Sequence, residues 1–161
     1  MVIRGNQATR LSPFKNEALM RIQLLLLGKT RRPEMCALLE DYVKRISRSC
    51  PIEILEVRDV EAALKKLDAD RAATAILLDA GGRTIDSNAF ARWLGELRDR
   101  GTRQIIFVCG NAGGFPESLR ARVPQKLSLS TMTLSHELAR VVLAEQLYRA
   151  FAILSGSPYP K

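Results

Sequence analysis

Histidine is almost absent from this chain: His136 stands alone among 161 residues. Cysteine is scarce as well, with Cys36, Cys50 and Cys109 far apart and in no CxxC spacing. A Cys/His zinc site needs three or four such ligands brought together, so no metal is expected. The same scarcity argues against a Ser-His-Asp hydrolase, because Ser118 lacks the GxSxG setting and one histidine would have to serve any triad. An odd, scattered set of thiols fits a reducing cytoplasm, and Cys109, inside an apolar run, reads as a small core residue. Long apolar runs are missing too. No stretch approaches the length of about 20 residues that a membrane span needs, and the N-terminus has no apolar signal segment. A soluble, cytoplasmic protein with no membrane partner is expected.

Acidic residues are outnumbered 17 to 25 by Lys and Arg, and the excess is uneven. Residues 1–50 carry 10 basic and 4 acidic side chains, 51–100 carry 8 and 10, and 101–161 carry 7 and 3. A positive balance confined to the two ends suits a polyanion met by one face, although many basic soluble proteins bind no nucleic acid. With 47% hydrophobic content the chain can fill one core and is short for two.

Residues 1–19 are polar and aperiodic and read as a disordered extension, with Met20 a possible start of translation. From Met20 the pattern alternates. MRIQLLLLG reads as a buried strand, 33–48 as an amphipathic helix opened by Pro33, 52–58 as a strand, 59–68 as a helix, and 74–79 as a buried strand. Residues 87–100 read as a helix with Phe90, Trp93, Leu94 and Leu97 on its core face, and 104–109 as a strand. A short strand near 127–130 and a long helix over about 136–154 finish the chain. This alternation predicts an α/β fold, a mostly parallel sheet flanked by helices, in one domain over residues 20–161.

Ligands of open parallel sheets gather at the carboxyl ends of the strands, which directs attention to four loops. They are 28–32 (GKTRR), 79–85 (DAGGRTI), 110–115 (GNAGGF) and 131–135 (TMTLS). Small residues dominate three of them and allow a ligand to reach backbone groups, though glycines that simply turn the chain would look the same. Neither GxxxxGK[ST] nor GxGxxG is present. His136 and Arg140, four apart, share a face at the start of the last helix, with Ser135 as its N-cap. Leu138, Val141, Val142, Leu143, Leu147, Phe151 and Leu154 give that helix more apolar surface than one sheet face needs, which suggests a homodimer interface.

The stretch LSLSTMTLSHELARVVLAEQLYRAFAILSGSPYPK, residues 127–161, taken with the GNAGG turn and the opening MRIQLLLLGKT, resembles the RlmH family over residues 20–161. These are bacterial methyltransferases of the SPOUT class that modify N3 of a pseudouridine in large-subunit ribosomal RNA. The resemblance implies a SPOUT α/β-knot fold with a C-terminal deep trefoil knot, S-adenosylmethionine as cofactor, a homodimer that completes the site, and ribosomal RNA or the ribosome as partner. It assigns cofactor binding to Leu78, Gly110 and the run Leu129, Ser130, Thr131, Met132, Thr133 and Leu134. Asn111 stands where the family has a second glycine, and asparagine tolerates left-handed backbone. His136 and Arg140 become catalytic candidates, Arg140 for a phosphate or the cofactor carboxylate. The family's Pro-Tyr-His tail is Pro158-Tyr159-Pro160-Lys161 here, so Tyr159, Lys161 or a water would replace that histidine as base. Lys29, Arg31 and Arg32, with Lys161, are the expected RNA contacts. A non-catalytic RNA-binding protein of this fold, or a methyltransferase for another RNA, would carry the same features.

Overall fold

A computed structural model describes residues 19–159. The expectation for residues 1–18, and those for Pro160 and Lys161, lie outside the described residues. Five parallel strands form one sheet: β1 (Arg21–Leu27), β2 (Ile52–Val57), β3 (Thr74–Thr84), β4 (Gln104–Cys109) and β5 (Lys126–Ser128), in the order β2-β1-β4-β3-β5. Every residue of β4 is buried, as are six of the seven in β1. That is why both strands are unbroken apolar runs: central strands of a parallel sheet are covered on both faces.

Right-handed crossovers decide which face each helix takes. α1 (Pro33–Ile46) and α3 (Ser87–Asp99) connect strands that step one way along the sheet, while α2 (Val60–Ala69) and α4 (Glu117–Arg122) connect strands that step the other. The core divides accordingly. Ile22, Leu24, Leu26, Ile105 and Phe107 face α1, α3 and the long α5 (His136–Leu154), whereas Leu25, Leu27, Ile106 and Val108 face α2 and α4. The helix starts are local chemistry. Asp59 accepts a hydrogen bond from the Ala62 N–H at 2.9 Å, Asp86 from Ala89 at 2.7 Å, and Ser135 from Leu138 at 3.4 Å.

Two expectations are corrected. Residues 79–84, expected as a loop, continue β3: Leu127 of β5 is registered with both Leu78 and Arg83. Gly82, between them, lies so close to β5 that a Cβ there would be 2.7 Å from the Leu127 nitrogen. Residues 79–82 therefore pass directly across β5, and the glycines permit that approach. The apolar surplus of α5 is also largely consumed inside the chain. Val141, Leu143, Leu147 and Phe151 are buried because α5 packs on the sheet with α1 on one flank and α3 on the other. Leu138 and Ile153 are the large apolar side chains of α5 left exposed.

No helix among the described residues is long and apolar enough to cross a membrane. Burial pushes the Cys50 thiol up to about 11 and the Cys109 thiol up to about 12. Both stay protonated and enclosed at pH 8, while Cys36 is half-buried. A chromogenic disulfide reagent at pH 8 is expected to titrate Cys36 alone in the native protein and all three thiols after denaturation. Fast native reaction of two or more would contradict this packing.

Candidate functional site

β1 leads to β2 on one side and β4 leads to β5 on the other, so the strand order reverses between β1 and β4. A crevice at the carboxyl ends follows from that reversal. A cavity of about 500 Å³ opens there, walled by the ends of β3 and β4 and by the chain leaving β5. Its apolar lining includes Leu78, Phe115, Leu129, Met132 and Leu134, and its polar lining includes Asp79, Asn111, Ser128, Ser130 and His136.

The Gly-rich turn is held by side chains. Asn111 does not adopt positive φ; among residues 111–114 only Gly114 does, at 72°. Instead the Asn111 Oδ1 accepts from the Gly113 N–H at 3.0 Å, and the Gly114 N–H donates to the Asn111 carbonyl at 3.1 Å. The turn keeps its shape through an Asx-type bond, a different reason from the left-handed tolerance expected of Asn. Across the mouth, the Arg120 Nη1 meets the Asp79 Oδ2 at 2.8 Å while its Nε donates to the Phe115 carbonyl at 3.2 Å. The Asp79 Oδ1 accepts from the Gly81 N–H at 2.9 Å. One ion pair thus ties the end of β3 to α4 and to the turn, and Asp79 is buried enough for the pair to matter.

Beneath the cavity, two residues of α5 fasten the β1–α1 loop. The Glu137 carboxylate accepts from the backbone N–H groups of Arg31 and Arg32, the latter at 3.4 Å. Those bonds are the main reason its carboxyl lies below the ordinary range, and they put a negative charge at the start of α1, where Arg32 provides no side-chain cap. Arg140 is fully buried. Its guanidinium donates to the Leu27 carbonyl at 2.8 Å, the Thr30 hydroxyl at 2.9 Å and the Gly110 carbonyl at 3.3 Å. Desolvation pulls its pKa down from the ordinary value. Expected as a cation offered to a phosphate or the cofactor, Arg140 instead has its donors engaged by the loops after β1 and β4.

Of the other expected site residues, Leu78, Gly110, Leu129, Ser130, Met132, Leu134 and His136 line the cavity, whereas Thr131 and Thr133 are exposed beyond its lining. Lys29, Arg31 and Arg32 are exposed on the loop after β1, at the same edge of the sheet. Tyr159 lies elsewhere. Its ring stacks edge-on against Tyr148 at 4.4 Å, with the Arg149 guanidinium 5.0 Å from its centre. Burial first, and then hydrogen bonding with Tyr42, push its phenol up to about 12, so it keeps its proton at neutral pH. Asp79, Arg120 and Glu137 were not anticipated. An acid ending the apolar run TAILLD was the signal for the first; the other two depend on contacts distant in sequence.

A sequence model described as "Predicted SPOUT methyltransferase" matches residues 20–160. The chain is 39% identical over 151 residues to "Ribosomal RNA large subunit methyltransferase H" of Geobacter sp. (strain M21), covering 87% of this chain and 98% of that protein. It is 40% identical over 151 residues to the protein of the same name from Pelobacter propionicus, covering 87% and 99%. This chain belongs to the RlmH family of SPOUT methyltransferases. Among solved structures, the tRNA (m1G37) methyltransferase from Aquifex aeolicus aligns with a TM-score of 0.57 at 16% identity, over 88% of this chain and 75% of that one. The AdoMet-bound rRNA methyltransferase from Sinorhizobium meliloti aligns at 0.52 and 11% identity, over 86% and 58%. These distant likenesses concern the fold, and the RlmH-family chain shares it.

Proposed function

We propose that the chain transfers a methyl group from S-adenosylmethionine to N3 of a pseudouridine in large-subunit ribosomal RNA, on the assembled ribosome. The observation that carries the reading is the coincidence of two things in one crevice. Near-full-length relatives are named for large-subunit ribosomal RNA methylation, and the residues that the family resemblance assigned to the cofactor largely converge on one cavity of about 500 Å³. That volume suits a cofactor-sized ligand. The donor set suits it as well: an apolar slot from Leu78, Leu129, Met132 and Leu134 beside small hydroxyl and backbone groups. Gly110 keeps the wall low, since a Cβ there would meet the Phe115 ring at 3.2 Å. The crossing of residues 79–82 over β5 is the local arrangement that the family's trefoil knot calls for, and we include that knot in the proposed fold.

Bound there, the cofactor supplies an electrophilic sulfonium methyl. The protein has to orient N3, exclude water and remove the N3 proton. Of the three catalytic candidates His136 alone reaches the cavity, so we assign it the proton, taken directly or through one water. The N-terminus of α5, which opens on the cavity at Ser135 and His136, favours a negative group of the cofactor or RNA. Lys29, Arg31 and Arg32, held by Glu137, are the assigned phosphate contacts. Purified ribosomes and labelled cofactor test the reading, with the methyl located by mass spectrometry. Label on an unmodified uridine, on protein, or nowhere would overturn it. Replacing His136 with Asn is expected to slow transfer about 100-fold, the lower range for losing a general base, with cofactor affinity kept.

We further propose a homodimer that brings the tail of one protomer towards the cavity of the other. In its own chain Tyr159 packs beside Tyr148, about 18 Å along α5 from His136. Leu138 and Ile153 are exposed on α5, and Leu38 on α1. Leu138→Asp with Ile153→Asp is expected to shift sedimentation from dimer to monomer and to suppress methyl transfer, with the fold intact because both side chains are exposed. An unchanged dimer would place the interface elsewhere.

A further inference from the structure

On the outer side of β5, away from the cofactor cavity, the chain forms a second hollow of about 310 Å³. Its walls are the apolar side chains of Ile76, Ile85 and Leu127, with Trp93 of α3 beside them. Its rim carries two cations, Arg83 and Lys126. Among the described residues, no Asp or Glu lines it. Neither cation has an ion-pair or hydrogen-bond partner among the described residues. That is unusual on this surface, where helix charges are commonly neutralised by their own turn: Arg45 by Asp41, Lys65 by Glu61 and Lys66 by Asp70. The nearest acid, Asp86, lines a neighbouring hollow and spends one oxygen as the N-cap of α3.

An apolar slot with an indole in its wall and two uncompensated cations at its rim has the donor set of a nucleotide site. A base stacks on the aromatic and slides against the aliphatic side chains, and the phosphate meets the cations. Position along the chain supplies the partner. Leu127 lines this hollow and the next residue, Ser128, lines the cofactor cavity, so the two sites sit back to back across one strand. We propose that this hollow binds an unpaired nucleotide flanking the methylated one, its base against Trp93 and its phosphate against Arg83 and Lys126. The proposal rests on RNA being the substrate and adds a second RNA contact on the far side of the cavity from Lys29, Arg31 and Arg32.

The chain contains a single tryptophan, so the site carries its own probe. Titration with a single-stranded hexauridylate is expected to quench Trp93 fluorescence saturably. Arg83→Gln with Lys126→Gln is expected to weaken that binding about tenfold and to lower the salt slope by about 2, one for each cation removed from the phosphates. Both substituted side chains lie at the rim, and calorimetric cofactor affinity should stay at the wild-type value. On ribosomes the double variant should raise KM with little change in kcat. The absence of quenching, or quenching equal in the double variant, overturns the site. The two readings fail separately: quenching that the double variant weakens, on an enzyme that puts no methyl on ribosomes, defeats the methyltransferase reading and keeps the site. Normal methylation with no quenching and no KM effect defeats the site alone.

Discussion

Gly82→Val is expected to prevent folding at 37 °C, and even Gly82→Ala should lower the melting temperature by more than any surface substitution. A Cβ at residue 82 would stand 2.7 Å from the Leu127 nitrogen and the Lys126 carbonyl carbon and 2.8 Å from the Leu127 carbonyl carbon. All three are backbone atoms, so no rotamer change relieves the overlap. β5 cannot retreat, because its other contacts are the register with Leu77 and Leu78 in the sheet. Overpacking a core with flexible neighbours costs about 1–3 kcal/mol, and a rigid neighbour puts this site at or above that range, against a total stability of about 5–15 kcal/mol. Since β5 delivers residues 128–134 to the cavity, cofactor binding should fail together with folding. Gly81→Ala is the control: its Cβ would find only the Asp79 Oδ1, at an ordinary 3.5 Å. Thermal denaturation of the three proteins decides it, and a Gly82→Ala melting point equal to that of wild type would mean that the crossing at β5 is looser than these distances require.

This crossing marks the limit of what local sequence could reveal. The runs RIQLLLL and QIIFVC announce buried central strands because burial on both faces leaves no polar alternation. Asp59, Asp86 and Ser135 announce helix starts because capping is a contact within three residues. DAGG, by contrast, has the composition of a turn whether it loops into solvent or passes across another strand, and the difference lies in β5, more than forty residues on. The apolar surplus of α5 misled in the same way. A helix with helical neighbours on both flanks needs apolar residues on most of its surface, and sequence cannot say whether those neighbours come from the same chain or another.

The site divides similarly. Gly110, Leu78 and the residues after β5 were reached through the family resemblance, and the cavity gathers most of them. The bonds that hold the cavity open were not legible: Asp79 with Arg120, Glu137 with the N–H groups of Arg31 and Arg32, and Arg140 with three acceptors. Each joins elements distant in sequence, and each uses a charged residue that on a helix or strand end would ordinarily be assigned to solvent. Tyr159 failed for a related reason. Its place in the tail matches the family, but in its own chain the tail folds back along α5.

Arg140→Met should separate a positioning residue from one that touches ligand. If the guanidinium served mainly to bind a phosphate or the cofactor carboxylate, its loss would raise KM and leave the melting point alone. The geometry requires the opposite order of effects. Removing it strips the hydrogen-bond donors from the buried Leu27 carbonyl, the Gly110 carbonyl and the Thr30 hydroxyl, and each buried acceptor left unpaired costs about 1–3 kcal/mol. A total of about 3 kcal/mol or more would lower the melting temperature of a chain this size by roughly 6–12 °C. Cofactor binding should weaken as well, since the Gly110 turn and the β1–α1 loop lose their shared anchor. Arg140→Lys should rescue little: a single ammonium cannot match the planar fork that spans acceptors on two strands and a loop. Melting curves and calorimetric cofactor titrations of both variants give the test. A lysine variant with wild-type stability, or a methionine variant with a normal melting point and only a raised KM, would return Arg140 to the role of ligand contact.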